Sequence, residues 1–196
     1  MKSKDWLNRQ KKDFYVNKAR DSGYVSRAAF KLLEIEKKFN FIKKANKILE
    51  LGSSPGGWSQ VIVEINDQSK IYAFDLIDMK FTHSNINFLK EDFIKYNYTK
   101  LPNKFDLVLC DIAPNTTGHQ STDHLRIVSL IEDIIDILDK ISNPSSSFVC
   151  KIWKGSEEVN IINLLKKRYK KILYFKPKSS RSESSEIFIV ANNFIL

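Results

Sequence analysis

The sequence predicts an α/β fold: a seven-stranded, mostly parallel sheet with one antiparallel strand and helices on both faces. Three observations carry this. Short β-branched or apolar runs alternate with longer stretches of helical spacing, as crossover units require. Several of the runs end on glycine or an acid, the residue types that mark a strand end opening onto a ligand crevice. The last two runs follow one another with no helix between them, so they can pair antiparallel.

The elements follow in order. Residues 1–25, opening Met1-Lys2-Ser3-Lys4-Asp5-Trp6, read as a basic, partly ordered arm. Ser26 reads as an N-cap, and Ala28, Phe30, Leu32, Leu33, Ile35, Glu36 and Phe39 then mark one stripe of a helix, with Lys31 off its centre. Residues 47–51 form a strand closed by Leu51-Gly52-Ser53-Ser54-Pro55-Gly56-Gly57-Trp58, and 58–65 the helix after it. Strands follow at 70–75, 86–89 and 105–110, the last ending Asp111-Ile112-Ala113-Pro114-Asn115. A polar loop at 116–122 precedes a long helix from about 123 to 141, with Leu130, Ile131, Ile134, Ile135 and Leu138 inward. Asn143-Pro144-Ser145 breaks that helix. A strand at 147–153, a helix at 159–169, a strand at 172–175, a polar loop at 177–185 and a strand at 186–191 complete the chain, with no internal repeat. The arm and one domain over 26–196 account for all 196 residues.

Charge is segregated. Residues 1–47 hold 14 Lys/Arg against 5 acids, and 166–181 hold 8 Lys/Arg and no acid. The rest of the chain is acidic, so two basic segments flank it within a net charge of +9. Clustered positive charge favours a polyphosphate partner such as RNA. Trp6, Tyr15 and Tyr24 interleave with basic residues and suit either base stacking or core packing. No run is long and apolar enough to span a bilayer, and the first residues lack the apolar block of a secretory signal. Cys110 and Cys150 sit inside apolar runs and read as buried free thiols of a reducing compartment. His83, His119 and His124 are scattered, so no metal site is expected.

The glycine loop lies where a strand meets a helix, and small residues there let backbone approach a nucleoside closely. Its spacing differs from the G-x-G-x-x-G of a dinucleotide site, and Pro55 stiffens it. S-adenosylmethionine, which has no pyrophosphate, suits it better than a nicotinamide dinucleotide. Gly52, Ser54, Pro55, Gly56, Gly57 and Trp58 are its candidate contacts. Asp75, with Leu76 beside it, ends the second strand where an acid meets ribose hydroxyls. Asp92, with Phe93, follows the third strand, where the acid can accept from an adenine amino group.

Asp111 ends the fourth strand and Lys151 lies near the end of the fifth, inside Phe148-Val149-Cys150-Lys151-Ile152-Trp153. A charge within such an apolar run is costly unless paired. Glu186 opens the last strand, and Lys31 comes from the first helix. An ion pair alone is one reading of the lysine and acid at neighbouring strand ends.

With these residues in view, the chain resembles the FtsJ family of RNA ribose 2′-O-methyltransferases. The resemblance runs end to end: Asp13-Phe14-Tyr15-Val16, Ser26-Arg27-Ala28-Ala29-Phe30-Lys31-Leu32, Leu51-Gly52 through Gln60, Asp111-Ile112-Ala113-Pro114-Asn115, Phe148-Val149-Cys150-Lys151, and Lys176-Pro177-Lys178-Ser179-Ser180-Arg181 through Glu186. Two departures stand out. Ser53-Ser54 occupies the place where the family more often has Ala-Ala, and Asn143-Pro144-Ser145 replaces the usual glycine after the long helix.

The resemblance implies a Rossmann-like class I methyltransferase fold and S-adenosylmethionine as cofactor, released as S-adenosylhomocysteine. It also implies a catalytic tetrad of Lys31, Asp111, Lys151 and Glu186, and cofactor contacts from Gly56, Trp58, Asp75, Asp92 and Asp111. Arg27 and Arg181 are candidate RNA contacts. A ribose hydroxyl must be aimed at the sulfonium methyl and lose its proton. A lysine acting as base near pH 7 would need its pKa lowered from roughly 10.4, about 4–5 kcal/mol of differential interaction. Desolvation and Lys31 push that way, and Asp111 and Glu186 push back. A charged Lys151 that only orients the hydroxyl is the other possibility.

The chain's compact length resembles the bacterial and mitochondrial branch, which modifies a uridine of large-subunit ribosomal RNA. The expected setting is a monomer acting on the large ribosomal subunit, in the cytoplasm if bacterial and in an organelle such as the mitochondrion if eukaryotic. A tRNA anticodon loop, an RNA cap, or a non-catalytic role in ribosome assembly are the alternatives left open.

Overall fold

The computed structural model describes residues 11–101, 104–113, 120–155 and 158–196, with backbone alone at 120 and 121. The expectations placed on residues 1–6, on Pro114 and Asn115, on 116–119 and on His119 lie outside the described residues.

The described chain forms helices α1 (Phe14–Asp21), α2 (Ala28–Phe39), α3 (Gly57–Ile65), α4 (Gln120–Ile141) and α5 (Glu158–Lys166). Its strands are β1 (Lys47–Leu51), β2 (Lys70–Phe74), β3 (Ile86–Leu89), β4 (Phe105–Cys110), β5 (Ser142–Trp153), β6 (Tyr169–Phe175) and β7 (Glu186–Phe194). They make one seven-stranded sheet in the order β3-β2-β1-β4-β5-β7-β6. Strands β1 to β5 pair in parallel, and β7 runs antiparallel to both neighbours, β5 and β6.

The expected arm contains a helix that its polar composition concealed. Asp13 starts α1 by accepting from Tyr15 N at 3.0 Å and Val16 N at 3.2 Å, which satisfies two amides that a helix start leaves unpaired. At α2 the cap position falls on Arg27, which makes no side-chain cap bond, while Ser26 Oγ accepts from Ala28 N at 3.3 Å. The long helix starts at Gln120, a turn earlier than expected.

The break expected at 143–145 is absorbed into β5. Asn143 Nδ2 donates to Asp106 Oδ1 at 2.7 Å, the β4–β5 register shifts between Phe105 and Leu107, and Ser145 takes φ +65°. The strand therefore begins at Ser142 with an irregularity rather than after a loop. Tyr169, expected at a helix end, opens β6 instead, buried with its ring 5.2 Å from that of Phe194.

Alternation along the strands builds two cores, one on each face. Leu49 and Leu51 of β1, Val108 and Cys110 of β4, and Phe148, Cys150 and Ile152 of β5 pack with α4 and α5. Ile48, Leu107, Leu109, Val149, Phe188 and Val190 pack with α2 and α3. The same period sends Glu50 and Lys151 toward the α2–α3 face, each between residues of the other core. That is the face from which α2 carries Lys31.

Candidate active site and cofactor pocket

Strand order reverses at β1: the chain moves outward to β2 and β3, then returns to β4 on the other side. A crevice opens at such a point beyond the carboxyl ends of the strands. A cavity of about 500 Å³ lies at those ends, lined by Gly52, Ser54, Asp75, Leu76, Asp92, Phe93 and Asp111 among the expected residues. Ile77, Glu91, Ile94, Ile112, Ala113 and Leu130 also line it, and the sequence reading missed all of these as contacts. Their signal was adjacency: all but Leu130 lie within two residues of an acid at a strand end.

The acids are held in place by the backbone. Asp75 accepts from Ser54 N at 2.8 Å and from Ile77 N at 2.9 Å, so the second strand end fixes the loop after the first. Asp92 accepts from Ile94 N at 3.1 Å and pairs with Lys95 at 3.4 Å. Gly52 has φ +79°, and a Cβ there would stand 2.8 Å from Ile112 N. Only glycine lets this turn lie against the end of β4, next to Asp111.

Pro55, Gly56, Gly57 and Trp58 do not line the cavity. Trp58 is 3% exposed, donates through Nε1 to the Ala28 carbonyl at 2.9 Å, and tilts against the Phe188 ring. The backbone of Gly57 runs against Ser26 and Ala29. Gly57 and Trp58 join α3 to α2 and so tie the glycine turn to the helix bearing Lys31, while Gly56 runs against Phe81 and Met79.

The expected tetrad falls into two ion pairs. Lys151 Nζ meets Asp111 Oδ1 at 2.7 Å and donates to the Asp111 carbonyl at 2.9 Å. Lys31 Nζ donates to Glu186 Oε2 at 2.7 Å. The β5–β7 register sets Glu186 opposite Trp153, two residues beyond Lys151. Burial of Lys151 pushes its ammonium toward deprotonation. The Asp111 charge and hydrogen bond, followed by the Glu186 charge, outweigh it and raise the pKa above the ordinary lysine value. Lys31 is itself engaged by Glu186, whose charge acts on Lys151 in the opposite sense.

Glu50, one residue before Leu51, is 1% exposed. Burial first, then the charges of Asp111 and Asp75, push its pKa up to about 8, against a hydrogen bond from Ser59 Oγ to Oε2 at 2.5 Å. Burial thus favours the neutral acid form of Glu50 near pH 7.

The family model described as FtsJ-like methyltransferase matches residues 24–194. The chain belongs to the FtsJ-like methyltransferase family. A ribosomal RNA large subunit methyltransferase E of Rickettsia akari is 43% identical to it over 202 residues, covering 97% of this chain and 88% of the relative. The corresponding Rickettsia felis protein is 42% identical over the same shares. A solved chain from Plasmodium falciparum, described as a candidate ribosomal RNA methyltransferase, superposes with a TM-score of 0.76 at 30% identity, covering 87% of this chain and 98% of that one. A candidate hemolysin of Lactococcus lactis, at TM-score 0.61 and 18% identity, shares the fold.

In this FtsJ-like methyltransferase the two arginines expected to touch RNA converge on one acid. Arg27 pairs with Asp13 Oδ2 and donates to the Ser179 carbonyl, while Arg181 reaches the same Oδ2 from Nη2 at 3.2 Å. The Arg27 side chain is 17% exposed and that of Arg181 29%. Neither is a free surface cation. Their joint effect is to bring together the two basic segments, separated by more than a hundred residues. Lys38 adds to this junction, its ammonium 4.8 Å from the Phe175 ring centre. Among the described residues no helix is long and apolar enough to cross a membrane.

Proposed function

We propose that this chain transfers a methyl group to a ribose 2′-hydroxyl of large-subunit ribosomal RNA, most simply a uridine, using S-adenosylmethionine. The observation that carries the reading is the pairing of Lys151 with Asp111, which lines the strand-end cavity.

The cavity's donor set fits that cofactor. Asp75 and Asp92 stand at successive strand ends, suited to ribose hydroxyls and to an adenine amino group, and Leu76, Ile94 and Leu130 offer apolar wall. The cofactor supplies an electrophilic methyl and leaves as S-adenosylhomocysteine.

The rest of the chemistry belongs to the chain. Lys151 rests as an ammonium that donates to the Asp111 carbonyl and is ion-paired with the Asp111 carboxylate. In this reading it also donates to a substrate oxygen. Lys151 thereby orients the ribose hydroxyl, whose oxygen would take the methyl as the methyl–sulfur bond breaks and whose proton would pass to solvent water. Asp111 aims Lys151, and Lys31 with Glu186 completes the set on the α2 side. Removal of water from such a pocket strengthens each of these interactions.

RNA approaches over the joined basic segments, with Arg27 and Arg181 meeting phosphates beside Asp13. Residues 26–196 act as the methyltransferase domain, residues 1–25 as the arm, and the protein works as a monomer. The Rickettsia relatives favour a bacterial cytoplasm as its compartment and the large ribosomal subunit as its partner.

The test is transfer of labelled methyl to undermethylated large subunits, free rRNA and tRNA, for wild type and Lys151→Ala. Transfer to subunits that disappears in the variant supports the proposal. Transfer confined to tRNA, or transfer undiminished in the variant, overturns the target or the role of Lys151 respectively.

A further inference from the structure

Glu186 is held by both oxygens. Oε2 accepts from Lys31 Nζ at 2.7 Å, and Oε1 accepts from Ser180 Oγ at 2.8 Å. Ser180 is 8% exposed and lies in the loop between β6 and β7. A carboxylate with one free oxygen can turn about its side-chain torsions. One gripped at both oxygens from different elements has a fixed plane.

The loop that carries Ser180 is itself latched. Lys178 N and Ser179 N donate to the Glu34 carboxylate at 2.5 and 2.9 Å, and Ser180 N closes a turn on the Pro177 carbonyl at 3.1 Å. Arg27 holds the Ser179 carbonyl. Glu34 lies three residues after Lys31, one helical turn along α2. The helix that delivers Lys31 to one oxygen of Glu186 therefore also grips the loop that delivers Ser180 to the other.

We propose that Ser180 is a positioning residue: its hydroxyl, set by the Glu34 latch, fixes the carboxylate of Glu186 between Lys31 and Lys151. The proposal rests on the reading above, in which Glu186 and Lys151 belong to the catalytic set. It assigns a role to a serine outside the cavity lining. Through Glu186, Ser180 also acts on Lys151, because the Glu186 charge is one of those that keep Lys151 protonated.

The test is methyl transfer to undermethylated large subunits under single-turnover conditions, for wild type, Ser180→Ala, Ser180→Thr, Glu186→Gln and Lys151→Ala. Loss of one hydrogen bond to a charged group predicts a rate roughly tenfold lower in Ser180→Ala. KM for S-adenosylmethionine and for RNA should stay unchanged, and Ser180→Thr, which keeps a hydroxyl, should recover part of the rate.

A wild-type rate in Ser180→Ala, or a loss confined to KM or melting temperature with the single-turnover rate unchanged, overturns the proposal. If Lys151→Ala and Glu186→Gln are impaired while Ser180→Ala is silent, only the role of Ser180 falls. If Lys151→Ala and Glu186→Gln keep the wild-type rate, the catalytic reading falls, and this proposal with it.

Discussion

Lys151 reaches Asp111 twice, through the carboxylate at 2.7 Å and through the backbone carbonyl at 2.9 Å. The double contact ties the end of β5 to the end of β4, and it explains why a charge is tolerated in an apolar strand. Lys151→Ala should lower methyl transfer by roughly 10²–10³-fold, the range for loss of a charged donor that holds the reacting oxygen in place. Because the folded pKa is raised, the stabilisation from this pair is fully present below the ordinary lysine value and is lost only as pH rises above it. The variant should therefore melt lower than wild type at every pH from 6 to 9, by a constant margin. A margin that widens as pH rises across this range in scanning fluorimetry would show that Lys151 is neutral in the folded protein.

Glu50 makes the opposite kind of contribution. Its folded pKa is raised to about 8. The sign follows: stability tied to this group is present at low pH and is lost as pH climbs from the ordinary carboxylate value through about 8. Glu50→Gln mimics the neutral form and should melt at a nearly constant temperature from pH 6 to 9, while wild type falls. Parallel curves for the two proteins would contradict a protonated Glu50.

Gly52→Ala places a Cβ against the backbone of Ile112 at a positive φ. The strain should cost about 1–3 kcal/mol and push the turn away from Asp111. Calorimetry should find S-adenosylmethionine bound at least roughly tenfold more weakly, since each 1.4 kcal/mol is tenfold in affinity. Unchanged affinity would mean that the cofactor lies elsewhere than this turn.

Trp58→Phe separates the two halves of the glycine loop. The variant loses the bond to the Ala28 carbonyl, worth about 0.5–1.5 kcal/mol, but leaves the cavity lining intact. Cofactor affinity should hold while the methyl-transfer rate falls, because α2 and Lys31 lose an anchor. A weakened cofactor with an unchanged rate would restore the expectation that this ring touches the ligand.

Arg181→Ala tests the proposed RNA face. One lost phosphate contact should raise KM for RNA and reduce the slope of log KM against log salt by about one. Affinity for S-adenosylmethionine should not move. An unchanged salt slope would leave Arg181 with only its structural task, joining the loop to Asp13.

The fold was legible because strand and helix periods alternate cleanly, and because an unpaired charge has a cost. Lys151 stood out inside an apolar run, and Asp75, Asp92 and Asp111 stood out as acids ending strands. What stayed hidden depends on partners far along the chain. Asp13 starts a helix and also holds Arg181, 168 residues away, which no local pattern encodes. Trp58 follows a glycine turn whether it faces a ligand or a helix, so the motif could not say which. The irregular start of β5 needs Asp106 of the neighbouring strand to accept from Asn143.

The placement of β7 sets an order of assembly. β6 pairs with β7 alone, so it has no place in the sheet until β7 slides in between it and β5. The strand that delivers Glu186 is also the wedge that closes the sheet. A product interrupted before residue 186 would keep the cavity, Asp111 and Lys151, yet lack the partner of Lys31. It would also leave the edge of β5 open along seven paired positions, from Ser147 to Trp153, ready to recruit a strand from another chain. Premature termination would therefore endanger the solubility of this protein as well as its chemistry.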